Sequence, residues 1–275
     1  MPWTPSTRLN HNRDHLRYPS DLTDKEWETL KTYLPAQDNP MGRPRIVCLR
    51  TVLEAILYWL RAGCPWRMLP KDFPHWKTVY SYYHRWRQMG IWDRIHNLMH
   101  GYVRVSEGRK PFPTAGIIDA QSVKTTENGG ISGYDGGKLI KGRKRHIVVD
   151  TTGLLCACTI HSAGIQDRDG GPSVLKQAYE RFSSLKHIWA DAGYRGEKFL
   201  HAFNDIAQWT LQIVEKDPNK NGFHVLPRRW VVERTFAWIN RNRRTLREYE
   251  KIPENSRTNT IIAMIQLMNR RIARL

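Results

Sequence analysis

Three acidic side chains lie at points where the sequence pattern of the chain changes. Asp119 and Asp191 each end a short apolar run, and Glu233 lies inside a stretch with helical spacing. A carboxylate at the edge of a hydrophobic core is costly unless a positive charge neutralises it. Mg²⁺ prefers oxygen ligands of this kind, so three of them in a basic chain suggest a magnesium site that works on phosphates.

The chemistry of such a site would be metal-assisted displacement at phosphorus. Three carboxylates within a few ångströms repel one another, and divalent cations would hold them together. Two Mg²⁺ ions about 3.5–4 Å apart would activate an attacking hydroxyl group and stabilise the leaving 3′ oxygen. From the residues alone an alternative stays open, because an aspartate at a strand end is usually a cap, a turn residue or a surface charge. Asp167 is more typical of a helix cap, but it is a fallback ligand.

The elements that must position these acids are predicted from about residue 111 to 275, where short strand-like runs alternate with helices. The strand-like runs cover residues 115–123, 146–150, 154–161, 185–191 and 209–214. They predict an α/β domain with a mixed five-stranded sheet and helices on both faces. Functional groups collect at strand ends in such sheets, so Asp119 and Asp191 would meet if their strands are neighbours. Glu233 flanks the buried stripe of a helix that begins near Pro227.

The preceding part of the chain is predicted to be helical. Residues 1–17 form a flexible polar arm in this interpretation, and residues 18–110 form a small all-α domain. The predicted helices run from a capping box at Thr23 through residue 34, over 50–62, over 76–88 and from about 91 to 105.

The stretch 76–88 is both aromatic and basic. It follows a helix and a turn, which resembles the reading helix of a helix-turn-helix DNA-binding unit, with Lys77, Arg85 and Arg87 facing DNA. The alternative is a small helical bundle in which the tyrosines and tryptophans form the core.

The net charge of the chain points to a polyanionic partner. Among 275 residues, 44 Lys and Arg outnumber 26 Asp and Glu, which gives a formal net charge of +18. Such an excess favours nucleic acid first and a membrane surface second. No apolar stretch approaches the roughly 18–20 residues of a spanning helix, and residues 1–18 lack the core of a signal peptide. We therefore expect a cytoplasmic protein that binds double-stranded DNA.

Two regions concentrate the positive charge. Residues 127–145 are predicted to be a glycine-rich loop whose last eight residues hold five cations and no acid, namely Lys138, Lys141, Arg143, Lys144 and Arg145. Such a loop would order on DNA and contact phosphates, although a solvated linker is the alternative. Arg234, Arg241 and Arg244 share the helix of Glu233 and could clamp phosphates, while some of them could be salt-bridge partners.

The four cysteines give no sign of a metal site. Cys48, Cys64, Cys156 and Cys158 form no Cys-x-x-Cys pair, and no histidine lies at zinc-finger spacing. Cys156 and Cys158 are predicted to be buried on one face of a strand, and reduced cytosolic thiols are expected.

Six longer motifs occur in order along the chain. They are Leu22-Thr-Asp-Lys-Glu-Trp27, Gly63-Cys-Pro-Trp66-Arg67-Met-Leu-Pro, Ile-Ile-Asp119-Ala-Gln-Ser-Val-Lys124-Thr-Thr, Gly-Tyr-Asp-Gly-Gly-Lys-Leu-Ile-Lys-Gly-Arg-Lys-Arg-His146-Ile-Val-Val-Asp, Ala-Asp191-Ala-Gly-Tyr194-Arg195-Gly and Pro227-Arg-Arg-Trp230-Val-Val-Glu233-Arg234-Thr-Phe-Ala-Trp. Together they resemble the DDE transposases of bacterial insertion sequences, specifically the IS five group within the IS four superfamily. The resemblance extends from about residue 18 to the end.

This resemblance implies an RNase H-like catalytic domain. It makes Asp119 on the first strand, Asp191 on the fourth and Glu233 on the following helix the catalytic, metal-binding residues. It also implies cleavage and transfer of DNA strands with Mg²⁺ or Mn²⁺, on the terminal inverted repeats of an insertion sequence and on target DNA, by a homodimer in the bacterial cytoplasm. Lys124 and Arg195, inside the motifs, join the expected DNA contacts. The separation of 42 residues between Asp191 and Glu233 leaves no room for the large insertion domain of some related transposases.

Three other functions compete with this interpretation. A DNA-binding repressor or domesticated factor would carry a decayed catalytic domain, which the intact acidic residues argue against. An RNase H-like nuclease would cut DNA without joining it. A structural RNA-binding protein would use the aromatic, basic helix and prefer RNA to duplex DNA.

Overall fold

The computed structural model describes residues 4–35, 46–127, 130–215 and 228–275. The helices in these ranges are Pro5–His11 (α1), Asp24–Lys31 (α2), Leu49–Ala62 (α3), Trp76–Gln88 (α4), Ile91–Ser106 (α5), Asp167–Arg181 (α6), Glu197–Ile206 (α7), Arg229–Asn240 (α8), Arg243–Leu246 (α9) and Pro253–Ile272 (α10). The strands are Ala115–Lys124 (β1), Gly133–Asp135 (β2), Ile140–Asp150 (β3), Leu155–Ser162 (β4), His187–Ala190 (β5) and Thr210–Ile213 (β6). Most of the predicted loop between Pro35 and Pro44, Gly129 and the predicted helix start at Pro227 lie outside the described residues.

The N-terminal helices form where the local signals predict them. Thr23 Oγ1 accepts the backbone N–H of Glu26 at 3.2 Å, and Glu26 Oε2 accepts the N–H of Thr23 at 3.0 Å, so the capping box is confirmed. α3 ends at Gly63, whose φ of 76° is left-handed. Within the residues predicted to be a flexible arm, α1 forms a helix, and Arg13 makes an ion pair with Glu26 at 2.8 Å. None of the described helices is long and apolar enough to cross a membrane.

The predicted mixed α/β sheet is confirmed. β1 lies at its centre, antiparallel to β3 on one side and parallel to β5 on the other. β4 extends the sheet beyond β3, and β6 extends it beyond β5. A sixth strand, the short β2, pairs with the start of β3. This RNase H-like sheet carries α6 and α7 against one face and α5, α8 and α10 against the other.

The helical region and the sheet share one hydrophobic core. Buried side chains of α2–α5 belong to the same cluster as those of α8, α10 and one face of β1, β3 and β4. The hydroxyl of Tyr83 on α4 donates a hydrogen bond of 2.9 Å to Asn259 Oδ1 on α10. The sequence pattern therefore changes at residue 110, but the residues before and after this point pack into one hydrophobic core.

Two local predictions are wrong. Cys156 and Cys158 are both buried, but they face opposite sides of the sheet, because an irregularity in the pairing of β3 and β4 makes Cys156 an extra residue between Leu155 and Ala157. The predicted loop at 127–145 also ends too late, since residues 140–145 lie in β3 and pair with β1 on one side and with β2 and β4 on the other.

Candidate active site

The register of two parallel strands brings Asp119 and Asp191 to one end of the sheet. Ile117 on β1 pairs with Trp189 on β5, and each aspartate follows its strand's member of that pair by two residues. Asp191 Oδ1 accepts the backbone N–H of Gly193 at 2.9 Å, which caps a single 3-10 turn after β5. The predicted meeting of these two carboxylates depended on neighbouring strands, and β1 and β5 are neighbours.

Glu233 and Asp191 share one arginine as an ion-pair partner. Arg229, in the first turn of α8, places its Nη2 atom 3.7 Å from Asp191 Oδ2 and 3.9 Å from Glu233 Oε1. Arg229 and Glu233 are four residues apart, so they lie on one face of the helix. The side chain of Glu233 remains 60% exposed. α8 therefore presents a carboxylate to solvent beside the sheet end that carries the two aspartates.

The surroundings of Asp119 favour its protonated form. The pKa of Asp119 is raised to about 6. Burial is the largest cause and the charge of Asp191 adds to it, while the backbone N–H of Ala120 and the cations Arg229 and Lys138 act in the opposite direction. The hydrogen bond from Ala120 N to Asp119 Oδ1 is 2.7 Å long. Because burial disfavours the ionised form of Asp119, an additional cation beside it would stabilise that form.

A chain of hydrogen bonds lies beneath the acidic cluster. Tyr194 Oη is 2.6 Å from His146 Nε2, His146 Nδ1 is 2.8 Å from His161 Nε2, and His161 Nδ1 is 2.9 Å from Ser162 O. Burial lowers the pKa values of both histidines, so both rings are neutral at pH 7. A carbonyl oxygen only accepts, so each ring must donate through Nδ1, and His146 Nε2 accepts the proton of Tyr194. This order fixes Tyr194, three residues after Asp191.

A glycine on α6 leaves room for this chain. A Cβ atom on Gly170 would lie 2.5 Å from His161 Nε2 and 2.9 Å from His146 Nδ1. On the same helix, Asp167 makes an ion pair with Lys144 Nζ at 2.7 Å. Asp167 also faces the Asp191 loop, because its Oδ2 atom is 3.7 Å from the position of a Cβ on Gly193. Its role as a fallback ligand stays a prediction.

The three acids fit a divalent metal by their chemistry. In the described ranges, no three His, Cys, Asp or Glu side chains lie close enough together to form a metal-binding group, and the Arg229 guanidinium lies near two of the carboxylates, Asp191 and Glu233. Their hard oxygens are the donors that such an ion needs. The pKa of Asp119 is raised first by burial and then by the charge of Asp191, so a cation bound there would favour its ionised form. Movement of Arg229 away from Asp191 and Glu233 would free both carboxylates as ligands.

The predicted DNA contacts fall into three groups, which are exposed, half-buried and buried. The exposed members are Lys77, Lys124, Lys138, Lys141, Arg195 and Arg241. Lys138 donates to the carbonyl of Ala120 at 2.9 Å, next to Asp119, and Arg195 makes an ion pair with Glu215. The half-buried members are Arg85, Arg87, Arg234 and Arg244. On α4 the aromatic residues Tyr82, Tyr83 and Trp86 are core, as the alternative interpretation of that helix expects.

Three of the predicted contacts are structural cations instead. Arg143, Lys144 and Arg145 are 0%, 5% and 1% exposed. Arg143 donates to the carbonyls of Glu250 and Lys251, and Arg145 makes an ion pair with Glu248 at 3.1 Å. Burial with internal partners removes these side chains from DNA, so their assignment as phosphate contacts is corrected.

Two further arginines of α8 and α9 also have internal partners. Arg244 makes an ion pair with Glu250 at 2.8 Å, and its guanidinium lies over the ring of Trp59. Arg234 donates to the carbonyl of Thr152 at 2.8 Å and lies over Trp238. Arg244 therefore matches the salt-bridge alternative, but it lies on α9 and not, as predicted, on the helix of Glu233, because α8 ends at Asn240. Arg234 braces α8 against the turn after β3.

Sequence reasoning missed Arg229 and the chain of His146, His161 and Tyr194. Arg229 could have been found, since an arginine four residues before a helical glutamate is an expected ion pair. The two histidines had no local signal, because residues 146 and 161 meet only through the pairing of β3 with β4.

Comparison with known proteins extends over most of the chain. Residues 110–268 match the family model described as "Transposase DDE domain", and residues 22–96 match one described as "Putative transposase of IS4/5 family". The chain is 28% identical over 117 residues to a "Putative transposase for insertion sequence element IS402" from Burkholderia cepacia, which covers 40% of the chain and 54% of that protein. It is 32% identical over 74 residues to the "Uncharacterized protein y4sN" of Sinorhizobium fredii, covering 27% of the chain and 58% of that protein. The chain thus spans little more than half the length of these relatives.

Proposed function

Because the chain belongs to the transposase DDE domain family, we propose that it cuts the ends of an insertion sequence and joins them to target DNA. The single observation that carries this proposal is the placement of Asp119 and Asp191 on neighbouring strand ends with Glu233 beside them on α8, joined to Asp191 by Arg229. The basic surface around these acids supports a DNA substrate. The family uses a divalent metal, and we propose Mg²⁺, with Mn²⁺ as a substitute.

Asp119, Asp191 and Glu233 would hold the metal. When bound, the ion would act as a Lewis acid that lowers the pKa of an attacking hydroxyl group and stabilises charge on the leaving oxygen. Asp119, whose pKa is raised by burial and by Asp191, would be held in its ionised form by the bound cation, also at a pH below 7. Arg229, once released from Asp191 and Glu233, would be placed to pair with a phosphate oxygen through its planar guanidinium.

The reaction proceeds in two displacements at phosphorus. In the first, the oxygen of water bonds to phosphorus, the bond to the 3′ oxygen breaks, and that oxygen leaves as a hydroxyl group. In the second, this 3′ hydroxyl attacks a phosphodiester of target DNA and displaces its 3′ oxygen. Tyr194, held by His146, keeps the loop after Asp191 in position for both displacements. We propose that a homodimer on DNA acts on both element ends, with the helical region 18–110 binding the terminal repeats.

The direct test measures metal-dependent cleavage of labelled DNA that carries the element ends, which the inverted repeats bracketing the gene would identify. Asp119→Asn, Asp191→Asn and Glu233→Gln should each lower the cleavage rate by roughly 10³-fold, since several kcal/mol of transition-state stabilisation are lost. Asp205→Asn, an exposed acid on α7, is the matched control and should cleave like the parent. Unimpaired cleavage by Asp119→Asn would refute the assignment.

A plasmid integration assay separates the proposed joining from simple cutting. Joined products support the transposase. Cleavage without any joined product would favour a nuclease of the same fold, and binding without cleavage in any metal would favour a DNA-binding factor.

A further inference from the structure

A cavity lined by arginines lies apart from the acidic cluster. It has a volume of about 620 Å³ and opens between the end of α3, the end of α8 and the C-terminal part of α10. Its basic lining residues include Arg61, Arg241, Arg270, Arg271 and Arg274. We call this the arginine cavity.

The positive charge of the arginine cavity is only partly compensated. Arg270 lies 3.8 Å from Glu26 and Arg271 lies 3.3 Å from Glu107, whereas Arg61, Arg241 and Arg274 have no ion pair with a carboxylate among the described residues. Burial, and after it the charge of the neighbouring Arg13, lower the pKa of Arg270 to about 10. A cavity in which like charges crowd one another favours an anionic occupant.

Unsatisfied donors point in the same direction. The Nε2 atom of Gln266 is buried and has no hydrogen-bond partner, and the buried Nε atom of Arg270 has only the Glu26 carboxylate near it, at 3.8 Å. A buried donor without a partner costs about 1–3 kcal/mol, which a ligand with acceptor oxygens would recover. Planar guanidinium groups match the paired oxygens of a phosphate.

The side chains that line the arginine cavity favour phosphate groups over bases. Trp238 is the aromatic side chain of the lining, but its ring already lies 4.5 Å from the Arg234 guanidinium and 4.8 Å from that of Arg271. Two cations thus already contact this ring and compete with any base that would stack on it.

α8 connects the arginine cavity to the acidic cluster. Glu233, Ala237 and Arg241 are all exposed and follow one another at a spacing of four, so they form one ridge of the helix surface. The eight residues from Glu233 to Arg241 correspond to about 12 Å along the helix axis. That distance equals roughly three to four nucleotides at 3.4 Å each.

We propose that the arginine cavity binds backbone phosphates of the DNA about three to four nucleotides from the phosphodiester that is cut. The assignment rests on the proposed function, since it places the cut strand at Glu233. Arg241 and Arg274 then supply the contacts of the open rim, and Arg270 supplies the deeper donor. The cavity would hold the flanking DNA in register while the acids act.

The test is the salt dependence of binding to a fluorescein-labelled DNA duplex. For Arg241→Gln with Arg274→Gln, the slope of log affinity against log salt concentration should become less steep by about 2, because each phosphate contact contributes about 1. The charge-conserving pair Arg241→Lys with Arg274→Lys should retain the parental slope. A parental slope in the double glutamine variant, with its thermal unfolding unchanged, would overturn the assignment.

A matched control and a cleavage-deficient variant make the result specific. Arg94→Gln with Lys176→Gln removes two exposed cations of α5 and α6 outside the cavity, and its slope should equal that of the parent. An equal loss in this control would mean that only overall charge matters, and would also overturn the assignment. Asp119→Asn should bind with the parental slope without cutting. Failure of the parent protein to cleave DNA with Mg²⁺ or Mn²⁺ would refute the proposed function, while the slopes would still decide the arginine cavity.

Discussion

Replacing Gly170 with alanine tests the packing beneath the acidic cluster. Alanine in place of a helical glycine usually stabilises a protein by about 0.5–1 kcal/mol. At Gly170 the added Cβ would meet His161 Nε2 at 2.5 Å, His161 Cε1 at 2.8 Å and His146 Nδ1 at 2.9 Å. Contacts between such atoms are favourable only near about 3.5–4.0 Å. The two rings must therefore move.

The expected size of the effect follows from that movement. A shift of about 1 Å is needed at His161, and the 2.8 Å hydrogen bond between His146 and His161 must lengthen. Overpacking of a filled core costs about 1–3 kcal/mol, and a lost hydrogen bond costs about 1 kcal/mol. After subtraction of the helical gain, Gly170→Ala should lower the free energy of unfolding by about 2 kcal/mol.

The measurement is urea unfolding followed by circular dichroism at pH 7. Gly101→Ala on α5 is the matched control, since its Cβ would meet Pro111 Cβ at an ordinary 3.7 Å. This control should raise the free energy of unfolding by about 0.5–1 kcal/mol. If Gly170→Ala is as stable as the parent, the histidine chain does not constrain α6 as described.

Three further predictions concern stability. Glu248→Gln should lower the free energy of unfolding by about 3–5 kcal/mol, because Arg143 and Arg145 would lose the charge of their buried partner; a change below about 1 kcal/mol would contradict a structural role for these cations. Burial lowers the pKa of His100 to about 4 from an ordinary 6.5. The stability that its neutral form contributes should therefore be present above pH 6.5 and be lost as the pH falls toward 4, by about 3 kcal/mol at most. Denaturant titrations at several pH values measure this dependence of stability on pH, and His100→Phe should reduce it. Thr23→Ala should cost about 1 kcal/mol in thermal unfolding through loss of the capping box, while no change would mean that α2 is held by packing alone.

The sequence determined the helices and the ends of strands that carry chemistry. Local signals sufficed for α4, whose observed bounds, Trp76–Gln88, are those of the prediction, and for the capping box of α2. Asp119 and Asp191 were recognisable because an acid that ends an apolar run marks the edge of a core. The family motifs named the same residues, and the register of β1 and β5 brings them together.

The tertiary structure alone decided which cations are free to meet DNA. The sequence from Lys138 to Arg145 is uniformly basic. In the fold, however, Arg143 and Arg145 point inward and contact carbonyl groups and a carboxylate about one hundred residues later in the chain. Lys138 and Lys141 stay exposed. The sequence around a charged residue does not indicate which distant residue will form an ion pair with it, because tertiary packing brings the two together. The same limit hid the arginine cavity, because its walls come from four helices, α1, α3, α8 and α10, that span almost the whole sequence.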